Sequence, residues 1–246
     1  MENILEREHL ILTSECDAEG KLGIKNTFDL YMDLAALHAY RLGIGYYDML
    51  AYRCYWVAVR TRVRFYDRPK LGERVETLTW PGKPGLAKMD RFYQLRQGER
   101  ILSEGRTEWG VQDIDTGGVR RTKSYPYPFD LPTREERVCE EPFTLFRDAD
   151  AEGKEQLCEY TVSSMDIDVG HHMNNVAYIR MLLSTFSTEE LADMDISELE
   201  IAYRHACFEG ETLRIYRWAE DDSRRFQVIR PDGGTAVQAR LLCREK

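Results

Sequence analysis

Several absences narrow what this chain can be. No apolar run approaches the roughly 18–20 residues that a membrane-spanning helix requires. The opening Met-Glu-Asn-Ile-Leu-Glu-Arg-Glu-His is charged and lacks the apolar stretch of a secretory signal. The six cysteines (Cys16, Cys54, Cys139, Cys158, Cys207, Cys243) are scattered, with no Cys-x-x-Cys pair, which argues against a zinc or redox motif. Without an export signal they are expected to be reduced thiols, and the protein cytoplasmic. Basic charge is in deficit, with 34 Lys and Arg against 43 Asp and Glu, a net charge of −9. Nucleic acid is therefore not an expected partner, because phosphate binding wants a basic surface. What is present, 43% hydrophobic and 31% charged residues over 246 positions, suffices for one large globular domain or two small ones.

The organising feature is an internal repeat. Lys70-Leu71-Gly72-Glu73 leads to Trp80, and Phe208-Glu209-Gly210-Glu211 leads to Trp218, with Gly-Glu at the same distance from each Trp. Arg91-Phe92 with Arg96 then matches Arg225-Phe226 with Arg230, and Arg106 matches Arg240, which implies four extra residues in the first copy around Pro81-Gly82-Lys83-Pro84-Gly85. Alternating apolar and polar residues predict strands over 57–65, 75–80, 92–95 and 101–110, and over 156–162, 199–208, 212–218, 226–230 and 236–243.

A helical segment precedes each meander. Val176, Ile179, Leu183 and Phe186 form a helical stripe that Met181 and Leu182 widen, so little of that helix can face water. Ser187 and Glu190 can cap a second short helix. Residues 30–42 carry the corresponding apolar helix of the first half. Each half thus reads as a strand, a mostly apolar helix and a curved antiparallel sheet that can wrap it, an α+β fold. The expected domains are 1–128 and 149–246, with the Pro-rich and charged stretch 129–148 as linker.

The chemistry concentrates in Asp168-Val169-Gly170-His171-His172-Met173-Asn174-Asn175, between a predicted strand and the apolar helix. Gly170 and the Asn pair favour a turn and a helix N-cap. A helix start offers unpaired amides and a positive dipole end, suited to a developing oxyanion. Asp168 can orient an imidazole or activate water, and His172 can carry a proton near neutral pH. Taken singly, these residues are ordinarily caps or structural histidines; their combination at the mouth of an apolar helix favours a site. Such a site needs no cofactor. Adjacent histidines seldom converge on one ion, so no metal is expected. Cys207, on a predicted strand, reads as a buried structural thiol.

The segment resembles the active-site motif of the acyl-ACP thioesterases, Asp-x-Asn-x-His-Val-Asn-Asn followed by a Tyr-containing helix. Asp168, His172, Asn174, Asn175 and Tyr178 match it. Trp56-Val57, the strand from Arg60 to Asp67, Gly72-Glu73, Trp109 and Arg120-Arg121 resemble the family's first half, and Tyr203-Arg204 with Cys207 its second. Two positions depart from the pattern: Gly170 stands where the family has a catalytic Asn, and Ala206 where it has an acidic residue.

The resemblance implies a tandem hot-dog fold, two antiparallel sheets each wrapped around a mostly apolar helix, and hydrolysis of fatty acyl-ACP. It implies an acyl chain bound mainly by the first half, with Met32, Leu34, Leu37, Ile44, Tyr46 and Trp56 as candidate lining residues and Tyr178 and His205 as further substrate contacts. The expected partner is acyl carrier protein, acidic and bearing a phosphopantetheine arm. Arg60, Arg62 and Arg64 on one strand face, and Arg120 and Arg121 with Lys123, are candidate carrier contacts. A homodimer is compatible with the sequence. An acyl-CoA thioesterase and a non-catalytic acyl-binding module are the alternatives.

Overall fold

The computed structural model describes residues 3–125, 127 and 134–244. The chain divides into two compact units, Met1–Glu141 and Pro142–Lys246. Part of the expected linker, 129–133, lies outside the described residues; residues 134–141 belong to the first unit and 142–148 to the second.

The first unit runs β1 (Leu5–Leu10), α1 (Ile24–Arg41), α2 (Tyr46–Leu50), β2 (Cys54–Phe65), β3 (Arg74–Pro81), β4 (Lys88–Gln97) and β5 (Arg100–Asp113). Its strands pair antiparallel in the order β1-β3-β4-β5-β2. The second unit runs β6 (Gln156–Thr161), α3 (Asn175–Leu183), α4 (Thr188–Asp193), β7 (Ile196–Tyr203), β8 (Thr212–Glu220), β9 (Ser223–Ile229) and β10 (Thr235–Cys243). Its order is β6-β8-β9-β10-β7, the same topology position for position.

Strand register corrects the repeat by one residue. Trp80 faces Phe92 across β3 and β4, whereas Trp218 faces Arg225 across β8 and β9. Phe92 therefore corresponds to Arg225, and Tyr93 to Phe226; the first copy carries five extra residues, not four. Phe92 again faces Arg106 while Arg225 faces Arg240, because the β9–β10 hairpin is one residue longer and restores the match. A one-residue slip exchanges the two faces of a strand, so the corrected register decides which side chains point at the helix.

Helix α1 buries Ile24, Thr27, Phe28, Tyr31, Leu34, Ala35 and His38, a stripe at helical spacing. It starts at Ile24 rather than residue 30 because its N-cap is Gly23, which has no side chain to cap with and so left no polar start signal. Tyr31 stacks on Tyr93 with centroids 4.9 Å apart, and its hydroxyl shares a 2.7 Å hydrogen bond with Ser103 Oγ. Gly105 permits this approach: a Cβ there would lie 3.0 Å from the Tyr31 ring.

In the second unit α3 buries six of its nine residues. It ends at Leu183, so Phe186 lies beyond it, edge-on to Phe226 at 6.0 Å. Ser187 and Glu190 form the expected capping box of α4, with Glu190 N–H donating to Ser187 Oγ at 3.1 Å. Strand β7 stops at Tyr203, so His205 and Cys207 occupy the following loop rather than the strand expected there.

Gly105→Val should overpack the Tyr31 contact and lower stability by about 1–3 kcal/mol. Chemical denaturation of the two proteins measures the difference.

Candidate active site

The turn before α3 is closed by the backbone. Asp168 N–H donates to His172 O (3.1 Å), His171 N–H to Asp168 O (3.0 Å) and Asn174 N–H to Asp166 O (2.8 Å), while Ile167 and Met173 form a bridge. Residue 171 sits at φ +59°, in the left-handed region. Met173 N–H donates to Cys207 O at 2.8 Å, which ties the turn to the loop after β7.

Asn174 joins the turn to the helix. Its Oδ1 accepts Val176 N–H at 2.7 Å as the N-cap, and its Nδ2 donates to Asp168 Oδ2 at 3.4 Å. Asp168 Oδ1 accepts Gly170 N–H at 2.8 Å. His172 Nδ1 lies 3.9 Å from Asp168 Oδ1, too far for a direct hydrogen bond. It lies 3.3 Å from Met173 O. Both side chains keep about a quarter of their surface open, 26% for Asp168 and 21% for His172. Of the three amides at the helix start, Asn174's and Val176's are engaged, and Asn175's has no partner among the described residues.

The other expected substrate contacts, Tyr178 and His205, and the expected structural thiol Cys207 make hydrogen bonds within the protein. Tyr178 is buried; its hydroxyl accepts Cys207 N–H at 3.1 Å, and burial raises its pKa well above the usual phenol range. Cys207 is fully buried, and burial pushes its thiol up to about 11, so it stays protonated near neutral pH. His205 is exposed, with Nδ1 2.8 Å from Thr235 O.

Asp166 was not singled out from sequence, yet it anchors the turn. Its buried carboxylate accepts Ser163 N–H, Ser163 Oγ–H and the Tyr160 hydroxyl, each at 2.8 Å, and pairs with Arg180. The signal for it was the Ser163-x-x-Asp166 spacing of a capping box.

The first unit carries the same turn without the chemistry. Asp17, Gly20, Lys21 and Gly23 repeat the hydrogen bonds of Asp168, His171, His172 and Asn174, and Cys16 bridges Leu22. Gly20 is at φ +71°, the counterpart of His171. Lys21 replaces the imidazole, Gly23 replaces the capping Asn, and Asp17 is ion-paired with Arg68. Leu22 N–H donates to Pro69 O as Met173 N–H donates to Cys207 O. Arg68 thus occupies the place of Ala206, and Asp168 meets no such cation from that position.

The first unit instead holds an open pocket of about 160 Å³. Of the residues proposed to line an acyl-chain site, Met32, Ile44, Tyr46 and Trp56 line this pocket, whereas Leu34 is core and Leu37 is not in its wall. Ala35, Ala36 and Ala39 open one helix face to it, and Met89 and Trp109 add to the wall. Arg91 also reaches it, buried, with Nη1 3.1 Å from His38 Nδ1; burial lowers its pKa. Its place in the wall depends on β4 register, which the sequence repeat misassigned.

The candidate carrier contacts separate. Arg62 is buried, 3% exposed, and donates to Glu141 O at 3.0 Å, a correction to its expected place on the surface. Its strand face is covered where 139–141 pass across it. Arg64 pairs with Glu141, Arg60 is half-buried, and Arg120 is held by Asp113 and Tyr52 O. Arg121 and Lys123 are exposed. No helix among the described residues is long and apolar enough to cross a membrane, and no group of metal-binding side chains is found among them.

Comparison with known proteins gives a consistent result. The family model described as acyl-ACP thioesterase N-terminal domain matches residues 2–121, and that of the acyl-ACP thioesterase C-terminal domain matches residues 149–242. A chloroplastic palmitoyl-acyl carrier protein thioesterase of Cuphea hookeriana is 29% identical over 208 residues, 78% of this chain and 49% of its own length. An oleoyl-acyl carrier protein thioesterase of Arabidopsis thaliana is 21% identical, over 64% of this chain and 46% of its own. The chain spans about half the length of the curated relatives it matches. Among solved structures, an acyl-ACP thioesterase from Bacteroides thetaiotaomicron superposes with a TM-score of 0.83 at 17% identity, covering 98% of each chain. A 12:0-ACP thioesterase from Umbellularia californica gives 0.80 at 20% identity, covering 100% of this chain and 99% of that one. The fold is of the hot-dog type, present twice.

Burial pushes the Asp166 carboxyl up, but the Ser163 and Tyr160 hydrogen bonds and the Arg180 cation outweigh it and hold it below the usual aspartate range. Its contribution to stability is therefore complete above about pH 4 and lost as pH falls through the lower, folded-state value. Asp166→Asn should cost about 2 kcal/mol at neutral pH, with the gap to wild type closing on acidification. Denaturant midpoints recorded across pH 3–7 check this.

Proposed function

Because the chain belongs to the acyl-ACP thioesterase family, we propose that it hydrolyses fatty acyl thioesters carried on acyl carrier protein, releasing free fatty acid and the carrier thiol. The observation that carries the reading is the paired Asp168 and His172 on a hydrogen-bonded turn at the start of a buried helix.

In this reading His172 is the general base. A proton on Nδ1 serves the Met173 carbonyl 3.3 Å away and puts an acceptor lone pair on Nε2, which takes a proton from water as the water attacks the thioester carbon. Asp168, 3.9 Å from Nδ1, stabilises the imidazolium that forms, or itself activates the water. Asn174 holds Asp168 in place. The Asn175 N–H, at the positive end of α3, donates a hydrogen bond to the developing oxyanion. The tetrahedral intermediate then collapses, the C–S bond breaks, and the proton on His172 passes to the leaving thiolate. No step calls for a metal or cofactor.

The first-unit pocket is assigned to the acyl chain, on the strength of its apolar wall. Arg121 and Lys123 are assigned to the acidic carrier protein because they are exposed cations. The six free cysteines suit a reducing compartment, and the cytoplasm is the proposed location.

Asp168→Asn and His172→Ala should each lose about a hundredfold or more in kcat on acyl-ACP while keeping wild-type circular dichroism. Full activity in both folded variants rejects the assignment. Arg121→Glu should raise KM for acyl-ACP several-fold and leave hydrolysis of acyl-CoA unchanged; equal effects on both substrates count against the carrier contact. Faster turnover of acyl-CoA than of acyl-ACP by wild type would move the assignment to acyl-CoA.

A further inference from the structure

Position 170 lies between the two groups assigned to proton transfer. A Cβ built on Gly170 would stand 2.8 Å from His172 Nε2, 3.2 Å from His172 Cδ2 and 3.1 Å from Asp168 Oδ1. The imidazole edge is therefore folded against the turn backbone, in the space that any side chain at 170 would take.

The first unit supplies an internal control for the backbone. Its turn has Glu19 at the equivalent position, and Glu19 N–H donates to Asp17 Oδ1 at 2.9 Å as Gly170 N–H donates to Asp168 Oδ1 at 2.8 Å. That turn carries a full side chain at this position, with Lys21 where His172 stands. Gly170 has no left-handed φ, unlike Gly20. The turn itself thus tolerates a Cβ, and what a Cβ at 170 would strike is the His172 ring and the Asp168 carboxylate. The glycine serves the placement of His172, not the formation of the turn.

We infer that Gly170 is a positioning residue: its missing side chain admits the His172 imidazole edge beside Asp168, so that Nε2 and the carboxylate converge on the same space over the Gly170 Cα. This rests on the hydrolytic reading above and adds a route to it that dispenses with a side chain at 170. With the ring seated there, Nε2 and the Asp168 carboxylate lie close together, and one water molecule held outside the turn can donate a proton to each and keep an oxygen lone pair for attack. A methyl group at 170 pushes the ring out of the turn and separates the two acceptors.

The test compares wild type, Gly170→Ala and the first-unit control Glu19→Ala. Each is followed by steady-state hydrolysis of acyl-ACP and by NMR titration of the His172 ring protons. Gly170→Ala should lower kcat at least tenfold, hold KM within about twofold, keep the wild-type unfolding midpoint and shift the His172 titration. Glu19→Ala should change none of these. A Gly170→Ala protein with wild-type kcat and an unmoved His172 titration overturns the inference. So does one that fails to fold, because the glycine would then serve the turn. A wild type that releases no fatty acid from any acyl-ACP counts against the hydrolytic reading alone, since the His172 titration still decides what Gly170 does.

Discussion

The amide side chain of Asn174 links the fold to the chemistry. Its oxygen caps α3 and its nitrogen reaches the Asp168 carboxylate, so one residue fixes the helix start and the acid beside it. A short N-cap residue holds both ends only if the turn brings Asp168 back over the helix mouth. Asp166 ensures this from below: its backbone oxygen receives Asn174 N–H, and its buried carboxylate is tied to β6 through Tyr160 and to α3 through Arg180. The site is therefore preorganised by a strand, a turn and a helix, with little left to order when a substrate arrives.

Duplication explains how such a turn could become a site in one copy only. The backbone pattern is kept in both units, but Asp17 is neutralised by Arg68 and faces no imidazole, whereas Asp168 is free of such a partner at Ala206 and lies next to His172. The first copy also has the longer helix, and alanines at 35, 36 and 39 thin one face of it where the pocket opens. One unit thus keeps the polar turn and the other the apolar cavity.

Much of this was legible in the sequence because local chemistry and period agree there. The Asn174 cap, the apolar stripe of α3 up to Leu183 and the Ser187–Glu190 box carry short-range signals and sit where expected, and the alternating strands form, although β7 ends at Tyr203. What was not legible depends on pairing between distant strands. The register of β4 was misread by one residue because Arg-Phe recurs in both copies, and with it went the inward direction of Arg91 and Tyr93. Helix α1 hid its start behind Gly23, β1 is a mostly exposed strand with little apolar pattern, and Arg62 lies under a segment nearly eighty residues later in the chain. Cys207 read as strand because apolar residues surround it, yet it closes a loop over the active turn.

The central claim is that water, activated at the Asp168–His172 turn, attacks the thioester with no acyl-enzyme formed. The most direct measurement is a single turnover with enzyme in excess over acyl-ACP in 18O-labelled water, with mass spectrometry of both the fatty acid and the intact protein. One labelled oxygen in each fatty acid, and no acylated protein at any quench time, is the predicted result. An acyl adduct on the enzyme, or unlabelled fatty acid from the first turnover, would contradict it.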